Sequence, residues 1–551
     1  MTLARYRDSY KVDFAVVGSG AAGGVMAREL ARNGFQVVLF EQGPRLGPAQ
    51  FQHDELSNWF LSGITNDPRV SPQSFRASAS EPTVVSRFGR NPLFYARMVG
   101  GSSAHYTGNY WRFREIDFDE RSRLGEISGT GFADWPIRYA DLEPYYTKVD
   151  WEVGVSGLAG AHPGEPPRSK PYPMPPLPVK SSGVLFERGA RKLGLHPFPA
   201  PMAINSVPYR GRPGCGHCGF CHGFACEFTA KSSTLFTMIP EAEATGRCEV
   251  RSDSYVCRIE TNAGRRATGV TFIDGHKRTR FQHASAVVVC ANGAETPRLL
   301  LMSESSRFPQ GLANSSGVVG KYLMFNYSTR MSAVFEHELN EYKSVQVTRI
   351  LHDFYESDPK RGFYGGGGID ARIGPQPAVW ALRAAEEGPS WGSAYKARLM
   401  EFSRSMVIAG HGTSLPVATN SVSLDPELKD AWGMPAIRAT YRDHPDDLAN
   451  ARFLQDRSVE IGEAAGATRL TRGPIAEQNF GLHLLGTCRM GDAPGDSVID
   501  RYHRTHDVKN LFLCDGSSFV TSGRGQPTMT IQALAFRAAD HIGQFARRGE
   551  I

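Results

Sequence analysis

Residues 11–43, KVDFAVVGSGAAGGVMARELARNGFQVVLFEQG, decide the fold of the first part of this chain. The apolar run Val12–Val17 predicts a short buried strand, and a Gly-x-Gly-x-x-Gly turn follows it directly. A helix is predicted at 21–33 and a second strand at 36–40. Strand, glycine turn, helix and strand in this order form one βαβ unit, from which doubly wound parallel sheets are built.

The glycines of this unit, Gly18, Gly20 and Gly23, predict a dinucleotide site. They allow the backbone to approach a pyrophosphate at the positive N-terminus of the helix. Glu41 ends the second strand, where an acidic side chain accepts a hydrogen bond from a ribose hydroxyl. An acid at this position disfavours a 2′-phosphate and therefore NADP. The alternative, a glycine-rich turn with no ligand, is disfavoured because the whole unit is present.

Composition places the chain among soluble globular proteins of two or three domains. It has 551 residues, 41% hydrophobic and 21% charged, with a formal net charge of +6. This small charge comes without a dense basic stripe, which excludes a nucleic-acid partner. No apolar run reaches the ~18–20 residues of a membrane span. The N-terminus MTLARYRDSYKVDF lacks the apolar region of a secretory signal, so the sequence predicts a cytoplasmic protein.

The rest of the chain predicts an α/β protein with an inserted second domain. Residues 247–291 resemble β-structure and end in a strand of the doubly wound sheet, whereas 327–450 alternate like antiparallel strands, with a helical segment near 377–405. We therefore expect a Rossmann-like dinucleotide domain interrupted by a largely antiparallel β substrate domain flanked by helices. The predicted boundaries are 1–326 and 478–551 for the dinucleotide domain and 327–477 for the insert.

Two further segments carry ligand-binding patterns. In RMVGGSSAHYTGNYWRF, residues 97–113, Gly100 and Gly101 permit close backbone approach, and Ser102 and Ser103 supply hydroxyls and amides for an anion. In the C-terminal stretch an apolar strand ends at Asp515 and Gly516, and Thr528 opens a long helix whose N-terminus favours negative charge.

Taken together, these segments resemble the glucose–methanol–choline (GMC) family of FAD-dependent oxidoreductases over nearly the whole chain. Within it the sequence is most similar to catalytic subunits of bacterial glucose, gluconate and glucoside dehydrogenases. The runs that carry the resemblance are WPIRYADLEPYY, KPYPMPPLP, ANGAETPRLLLMS, ANSSGVVGKYLM, HLLGTCRMG and NLFLCDGSS.

The resemblance implies an FAD-dependent dehydrogenase that oxidises a hydroxyl of a sugar, glycoside or polyol. His483 matches the catalytic base, which takes the hydroxyl proton while hydride leaves for the flavin. Gln526 occupies the second catalytic position, where the family has His or Asn. Two alternatives stay open: an oxidase that passes electrons to oxygen and makes peroxide, and a flavin-binding protein that has lost catalysis.

The resemblance also implies how FAD is held. Glu41 binds the adenosine ribose, Val256 lies along the adenine, and Asp515 approaches the ribityl and pyrophosphate groups. His105 stands where some members bond the flavin covalently and others only pack a histidine, and both alternatives remain open. Five other histidines, His217, His222, His411, His444 and His541, are expected at the surface or in structural roles.

Four cysteines are clustered in GCGHCGFCHGFACEF: Cys215, Cys218, Cys221 and Cys226. The spacing is close to that of ferredoxin-type runs, and some relatives carry a 3Fe-4S cluster in this region on wider spacing. A 3Fe-4S or 4Fe-4S cluster, a zinc site and reduced structural thiols remain alternatives. A cluster would relay electrons to an external acceptor such as a cytochrome. The resemblance further implies a small companion subunit, which could carry a periplasmic export signal. The other five cysteines are expected to be buried thiols.

Overall fold

The computed structural model describes residues 5–51, 53–60, 64–87, 91–374, 376–386 and 388–551. The predictions that concern the first four residues, and parts of the segments 45–95 and 377–405, lie outside the described residues.

Strands are spread along the whole described chain. Their bounds are β1 Val12–Val17, β2 Val37–Phe40, β3 Gln73–Arg76, β4 Val84–Ser86, β5 Phe198–Pro199, β6 Cys248–Arg251, β7 Tyr255–Thr261, β8 Ala267–Ile273, β9 Thr279–Val289, β10 Met331–Val334, β11 Val347–Leu351, β12 Gly367–Arg372, β13 Ser405–Gly412, β14 Ser421–Lys429, β15 Pro435–Thr440, β16 Arg469–Arg472 and β17 Leu511–Leu513.

Helices alternate with these strands. Their bounds are α1 Ala21–Arg32, α2 Glu120–Leu124, α3 Tyr139–Val149, α4 Ser181–Lys192, α5 Met238–Ala244, α6 Glu295–Met302, α7 Pro377–Glu386, α8 Gly392–Leu399, α9 Pro445–Ala465 and α10 Thr528–Arg547. No helix within the described residues combines the length and the apolar character needed to cross a membrane.

The first sheet confirms the predicted doubly wound core. Its strand order is β6-β2-β1-β9-β8-β7, with β17 pairing beside β9. β1 runs parallel to β2 and β9, and β17 also runs parallel to β9. Helices α1 and α10 pack against each other beside it. Because β1, β2 and the C-terminal half of β9 are buried on both faces, they consist of nearly continuous apolar runs.

The second sheet is antiparallel, as predicted for the substrate region. Its order is β16-β10-β13-β12-β11-β5, and all of its pairs are antiparallel. Apolar residues of α4 and α9 cover one face of this sheet. A smaller sheet, β14-β15-β3-β4, joins residues 421–440 to 73–86. The second sheet thus includes β5 and packs against α4, both of which lie upstream of residue 327 in the sequence. The domain boundaries themselves stay a prediction.

The topology brings distant segments together at the carboxyl ends of the parallel strands of the first sheet. β1, β9 and β17 are parallel neighbours, so the residues that follow them, Gly18, Cys290 and Asp515, meet at their carboxyl ends. Ligands of doubly wound sheets bind at this edge.

Candidate active site

The glycine turn after β1 is packed so tightly that two of its glycines are required. A Cβ on Gly18, whose φ is +95°, would lie 2.5 Å from the carbonyl oxygen of Cys290. A Cβ on Gly23 would lie 1.8 Å from the carbonyl oxygen of Gly18. At Gly20 the nearest protein atom is the Cα of Gly101, 3.9 Å from such a Cβ. Gly18 and Gly23 therefore shape the turn, while Gly20 leaves space for a ligand.

Glu41 is buried at the end of β2 and is held by the same turn. Its Oε2 accepts hydrogen bonds from the Ser19 hydroxyl at 2.7 Å and the Ser19 N–H at 3.3 Å, and its Oε1 accepts one from the Gly43 N–H at 3.0 Å. Burial raises the pKa of Glu41 to about 7 despite these bonds. Sequence patterns did not single out Ser19, which sits at an unspecified position of the glycine motif.

The GGSS segment lies directly against the first turn. Gly100 and Gly101 have φ of +96° and +55°, and a Cβ on Gly101 would lie 2.7 Å from the Cα of Gly20. The Ser103 hydroxyl donates to the Gly100 carbonyl at 2.7 Å, and the Ser102 hydroxyl accepts from the Ala96 N–H at 3.0 Å. Each hydroxyl thus makes a hydrogen bond within the protein, and the two glycine turns approach each other closely.

A cavity of about 630 Å³ runs from these turns to the second sheet. Asp515 lines this cavity. The carboxylate of Asp515 accepts hydrogen bonds from the Thr296 hydroxyl at 2.6 Å and the Ser517 N–H at 2.7 Å. The predicted site residues that line the cavity are Gly18, Gly20, Glu41, Gly101, Ser102, Ser103, His105, Val256, His483, Asp515, Gly516, Gln526 and Thr528. Gly23, Gly100 and the four clustered cysteines are not among its lining residues.

His483 stands in this cavity with one ring nitrogen fixed by Asn326. His483 Nδ1 lies 2.9 Å from Asn326 Oδ1. The Asn326 amide nitrogen donates to the carbonyl oxygens of Gly523 and Ser522, at 3.0 and 3.2 Å, so its oxygen must face the histidine. Nδ1 is therefore the protonated nitrogen, and Nε2 keeps its lone pair. Sequence patterns gave no signal for Asn326, because its role depends on a contact between distant segments.

The electrostatics around His483 keep its imidazole neutral. Burial, and the nearby His411 and Arg372, lower the pKa of His483 to about 3. Gln526 lines the same cavity. A neutral imidazole with a free lone pair can accept a proton from an alcohol.

His222 and His411 both line the cavity, a position that the sequence did not indicate. His411 is buried on β13, with Nε2 lying 2.9 Å from Asp370 Oδ2 and 2.6 Å from Arg372 Nη2. Antiparallel pairing of β12 with β13 brings residues 370–372 beside 407–409, two residues from His411. His444, in contrast, caps α9 by accepting the Asp446 N–H at 3.2 Å.

The cysteine segment packs beside His105 without forming a metal-holding group. Within the described residues, no three or more His, Cys, Asp or Glu side chains are grouped so that they could hold a metal ion. Burial raises the pKa values of Cys215 and Cys221 to about 11 and 12. The buried ammonium of Lys231 instead secures the segment, donating to the carbonyl oxygens of Tyr106, Cys221 and Phe224 at 2.6–2.8 Å. Cys248, Cys257, Cys290, Cys488 and Cys514 are buried free thiols, as expected.

Comparison with known proteins defines the class of enzyme. GMC oxidoreductase models match residues 12–325 and 416–535. The chain is 36% identical to 2-methyl-1,2-propanediol dehydrogenase of Mycolicibacterium austroafricanum, over 97% of this chain and 95% of that one. It is 30% identical to the fructose dehydrogenase large subunit of Gluconobacter japonicus, over 98% and 99% of the two chains.

A solved structure shares the fold. Pyridoxine 4-oxidase from Mesorbium loti superimposes with a TM-score of 0.66 at 18% identity, covering 97% of this chain and 99% of that one. The chain belongs to the GMC oxidoreductase family. It is an FAD-dependent oxidoreductase that acts on CH–OH groups, which confirms the class predicted from the sequence.

Proposed function

We propose that the protein is a dehydrogenase that oxidises a hydroxyl of a sugar, glycoside or polyol, with His483 as the proton acceptor. The observation that carries this proposal is the imidazole of His483, which lines the same cavity as the glycine turns and keeps its Nε2 lone pair available. Dehydrogenases of a diol and of fructose among the relatives support the substrate class.

The residues of the cavity suit FAD. The space left at Gly20 accommodates a pyrophosphate at the N-terminus of α1, and Glu41 stands at the end of β2 to accept from the ribose. We assign Val256 to the adenine, and Asp515, Gly516 and Thr528 to the central and flavin parts. FAD, when bound, supplies the hydride acceptor of the reaction.

Proton transfer is the part of the reaction assigned to this chain. The alcohol hydroxyl gives its proton to Nε2 of His483 as its carbon loses hydride, and Asn326 steadies the imidazolium that forms through Nδ1–H. We assign the Gln526 amide, which lines the same cavity, to a hydrogen bond with the substrate oxygen. Removing the base by His483→Ala should slow flavin reduction by about 10²–10⁴-fold.

The test is flavin reduction under anaerobic conditions. Sugars, glycosides and polyols should bleach the ~450 nm flavin absorption, and turnover in air should depend on an artificial acceptor and yield little peroxide. Stoichiometric peroxide would favour the oxidase. If none of these compounds reduces the flavin, the dehydrogenase assignment is contradicted and a flavin-binding protein without catalysis is favoured.

Covalent attachment and iron need their own measurements. His105 lines the cavity and is buried, so we retain a bond to the flavin as a hypothesis, tested by whether acid precipitation releases the flavin. The described arrangement of Cys215, Cys218, Cys221 and Cys226 does not fit a cluster, and no electron-transfer step is assigned to it. About three or four irons per flavin, with matching sulfide, would restore the cluster.

A companion subunit is proposed on the name of one relative alone. The relative that matches this chain is named as the large subunit of fructose dehydrogenase. We propose that this chain also has a small companion, which passes electrons toward a cytochrome and could direct export. Purification of the tagged chain from its native cells, with fractionation of the periplasm, tests both ideas. A chain recovered alone from the cytoplasm would exclude them.

A further inference from the structure

A second imidazole, that of His411, stands in the substrate part of the cavity. His411 lies on β13 and is only 3% exposed, and it lines the same cavity as His483. Ser328 pairs with His411 across the second sheet, is exposed and also lines the cavity. Since paired residues of neighbouring strands share a face of the sheet, the Ser328 hydroxyl and the His411 ring face one part of the cavity.

Contacts on two sides fix the ring of His411. Its Nε2 lies 2.9 Å from Asp370 Oδ2 and 2.6 Å from Arg372 Nη2. Trp111 packs edge-to-face against the ring, with the ring centroids 6.2 Å apart. The indole nitrogen of Trp111 donates in turn to the Arg524 carbonyl oxygen at 3.4 Å. The ring is therefore held between the second sheet and the C-terminal segment.

His411 is also a neighbour of the proposed base. Asn326, whose amide oxygen orients His483, donates from its amide nitrogen to the Gly412 carbonyl oxygen at 3.3 Å. Gly412 directly follows His411 on β13. Burial and then His411 lower the pKa of His483, so the two imidazoles interact through space. A substrate whose hydroxyl reaches His483 therefore brings its neighbouring atoms toward His411.

One nitrogen of the His411 ring remains for a ligand. Nε2 is used within the protein, whereas Nδ1 makes no hydrogen bond to the described residues. Nδ1 is accessible rather than buried, and the cavity is the space that His411 lines. Burial lowers the pKa of His411 despite the nearby Asp370, so the ring is neutral at pH 7. In either tautomer Nδ1 can pair with a hydroxyl, because a hydroxyl both donates and accepts hydrogen bonds.

Resting on the proposed function, we propose that His411 is a second substrate-binding residue, whose Nδ1 bonds a hydroxyl adjacent to the one that His483 deprotonates. The substrate is then a compound with two neighbouring hydroxyl groups, as in a 1,2-diol, a polyol or a sugar. Such a contact confers specificity, because an alcohol that lacks the second hydroxyl leaves the His411 nitrogen without a partner.

Two substitutions separate the roles of the two ring nitrogens. The amide of Asn lies as far from Cβ as Nδ1 does, and the amide of Gln lies as far as Nε2. His411→Asn thus retains the proposed substrate contact, whereas His411→Gln retains only the contact with Asp370. In both variants Asp370 keeps its pairing with Arg372, whose Nε donates to Oδ1 at 2.7 Å. The matched control is His283→Gln, at an exposed position of β9.

Steady-state kinetics of the holoenzyme, with an artificial acceptor, compare 1,2-propanediol with 1-propanol and 2-propanol, each of which lacks one of its hydroxyls. We expect kcat/KM for the diol to exceed that for both monoalcohols by about five- to tenfold, the effect of one hydrogen bond. His411→Gln should reduce this ratio to near one, His411→Asn should keep most of it, and His283→Gln should not change it. A native ratio near one, or a ratio that falls equally in both His411 variants or only in His411→Asn, overturns the inference.

A binding measurement separates this inference from the proposed function. It uses the dithionite-reduced holoenzyme, in which hydride transfer to the flavin cannot occur. The diol should raise Tm more than either monoalcohol, and His411→Gln, but not His411→Asn, should remove that difference. If no alcohol or sugar reduces the oxidised flavin but this Tm pattern appears, the contact stands and the proposed reaction fails. If monoalcohols reduce the flavin as well as the diol does, the proposed reaction stands and the inference is overturned.

Discussion

At the scale of single residues, the orientation of one imidazole depends on Asn326. Its amide nitrogen bonds backbone carbonyls at 522 and 523, so its oxygen is directed to His483 Nδ1. The imidazole is consequently presented to the cavity in one tautomer. Asn326 is a positioning residue, since it acts through the histidine.

Replacing Asn326 with alanine should lower kcat and leave KM nearly unchanged. A lost hydrogen bond of about 1 kcal/mol corresponds to roughly a five- to tenfold lower rate, because the ring no longer holds its productive tautomer. Steady-state kinetics and flavin content measure this, with Asn262→Ala in an exposed turn as the control. An unchanged kcat with full flavin content would show that the contact does not position the base.

The pH dependence of activity should reflect the lowered pKa of His483. A base must be unprotonated to act, so activity is lost as the pH falls through its pKa. That pKa is about 3 rather than the ordinary 6.5, because of burial, His411 and Arg372. The acid limb of kcat/KM should therefore lie well below pH 6.5, and Arg372→Gln should move it upward. A limb near pH 6.5 in the native protein would contradict this electrostatic account.

At the scale of elements, the sequence predicted the strands and helices whose signals lie within one short stretch. The strand Val12–Val17, the following helix and the final helix occur where the sequence predicts them. Their periodicity and glycine turn are contained within one short stretch. The residues that sequence patterns missed, Ser19, Asn326 and Lys231, act through partners far away in the chain. Sheet register, which no local pattern contains, also placed His411 beside Asp370.

The first turn offers a test that separates folding from cofactor binding. A Cβ at Gly23 would collide with the Gly18 carbonyl, whereas one at Gly20 would make only an ordinary contact, 3.9 Å from the Cα of Gly101. Gly23→Ala should therefore destabilise the apo-protein by about 1–3 kcal/mol, since the turn must open. Gly20→Ala should keep the apo-protein Tm and weaken FAD binding about tenfold.

Thermal unfolding of the apo-protein and FAD titration give the two readouts. Each variant serves as the control for the other because both remove a glycine from the same turn. If Gly20→Ala binds FAD as the native protein does, the pyrophosphate does not approach there.

At the scale of the whole molecule, one buried charge network ties the segment that carries Gln526 to the region of α2 and to the second sheet. Arg524 is fully buried and donates to Asp117 Oδ1 at 2.6 Å and to Glu120. Tyr355 and Tyr364, both from the loop between β11 and β12 of the second sheet, donate to the same two carboxylates at 2.6 and 2.7 Å. The network therefore joins the C-terminal segment, the region of α2 and the substrate sheet.

Breaking this network should destabilise the whole protein. Arg524→Met leaves two buried carboxylates without their cation, which costs about 3–5 kcal/mol. The matched control is Arg501→Met, whose partner Asp492 and own side chain are 57% and 44% exposed. Such an exposed pair contributes at most about 1 kcal/mol.

Denaturant unfolding of both holoenzymes measures the difference. Because the network joins segments from three separate parts of the chain, Arg524→Met should lower the midpoint of a single cooperative transition. A second transition, or a loss no larger than that of Arg501→Met, would mean that the two sheets are stabilised independently of it.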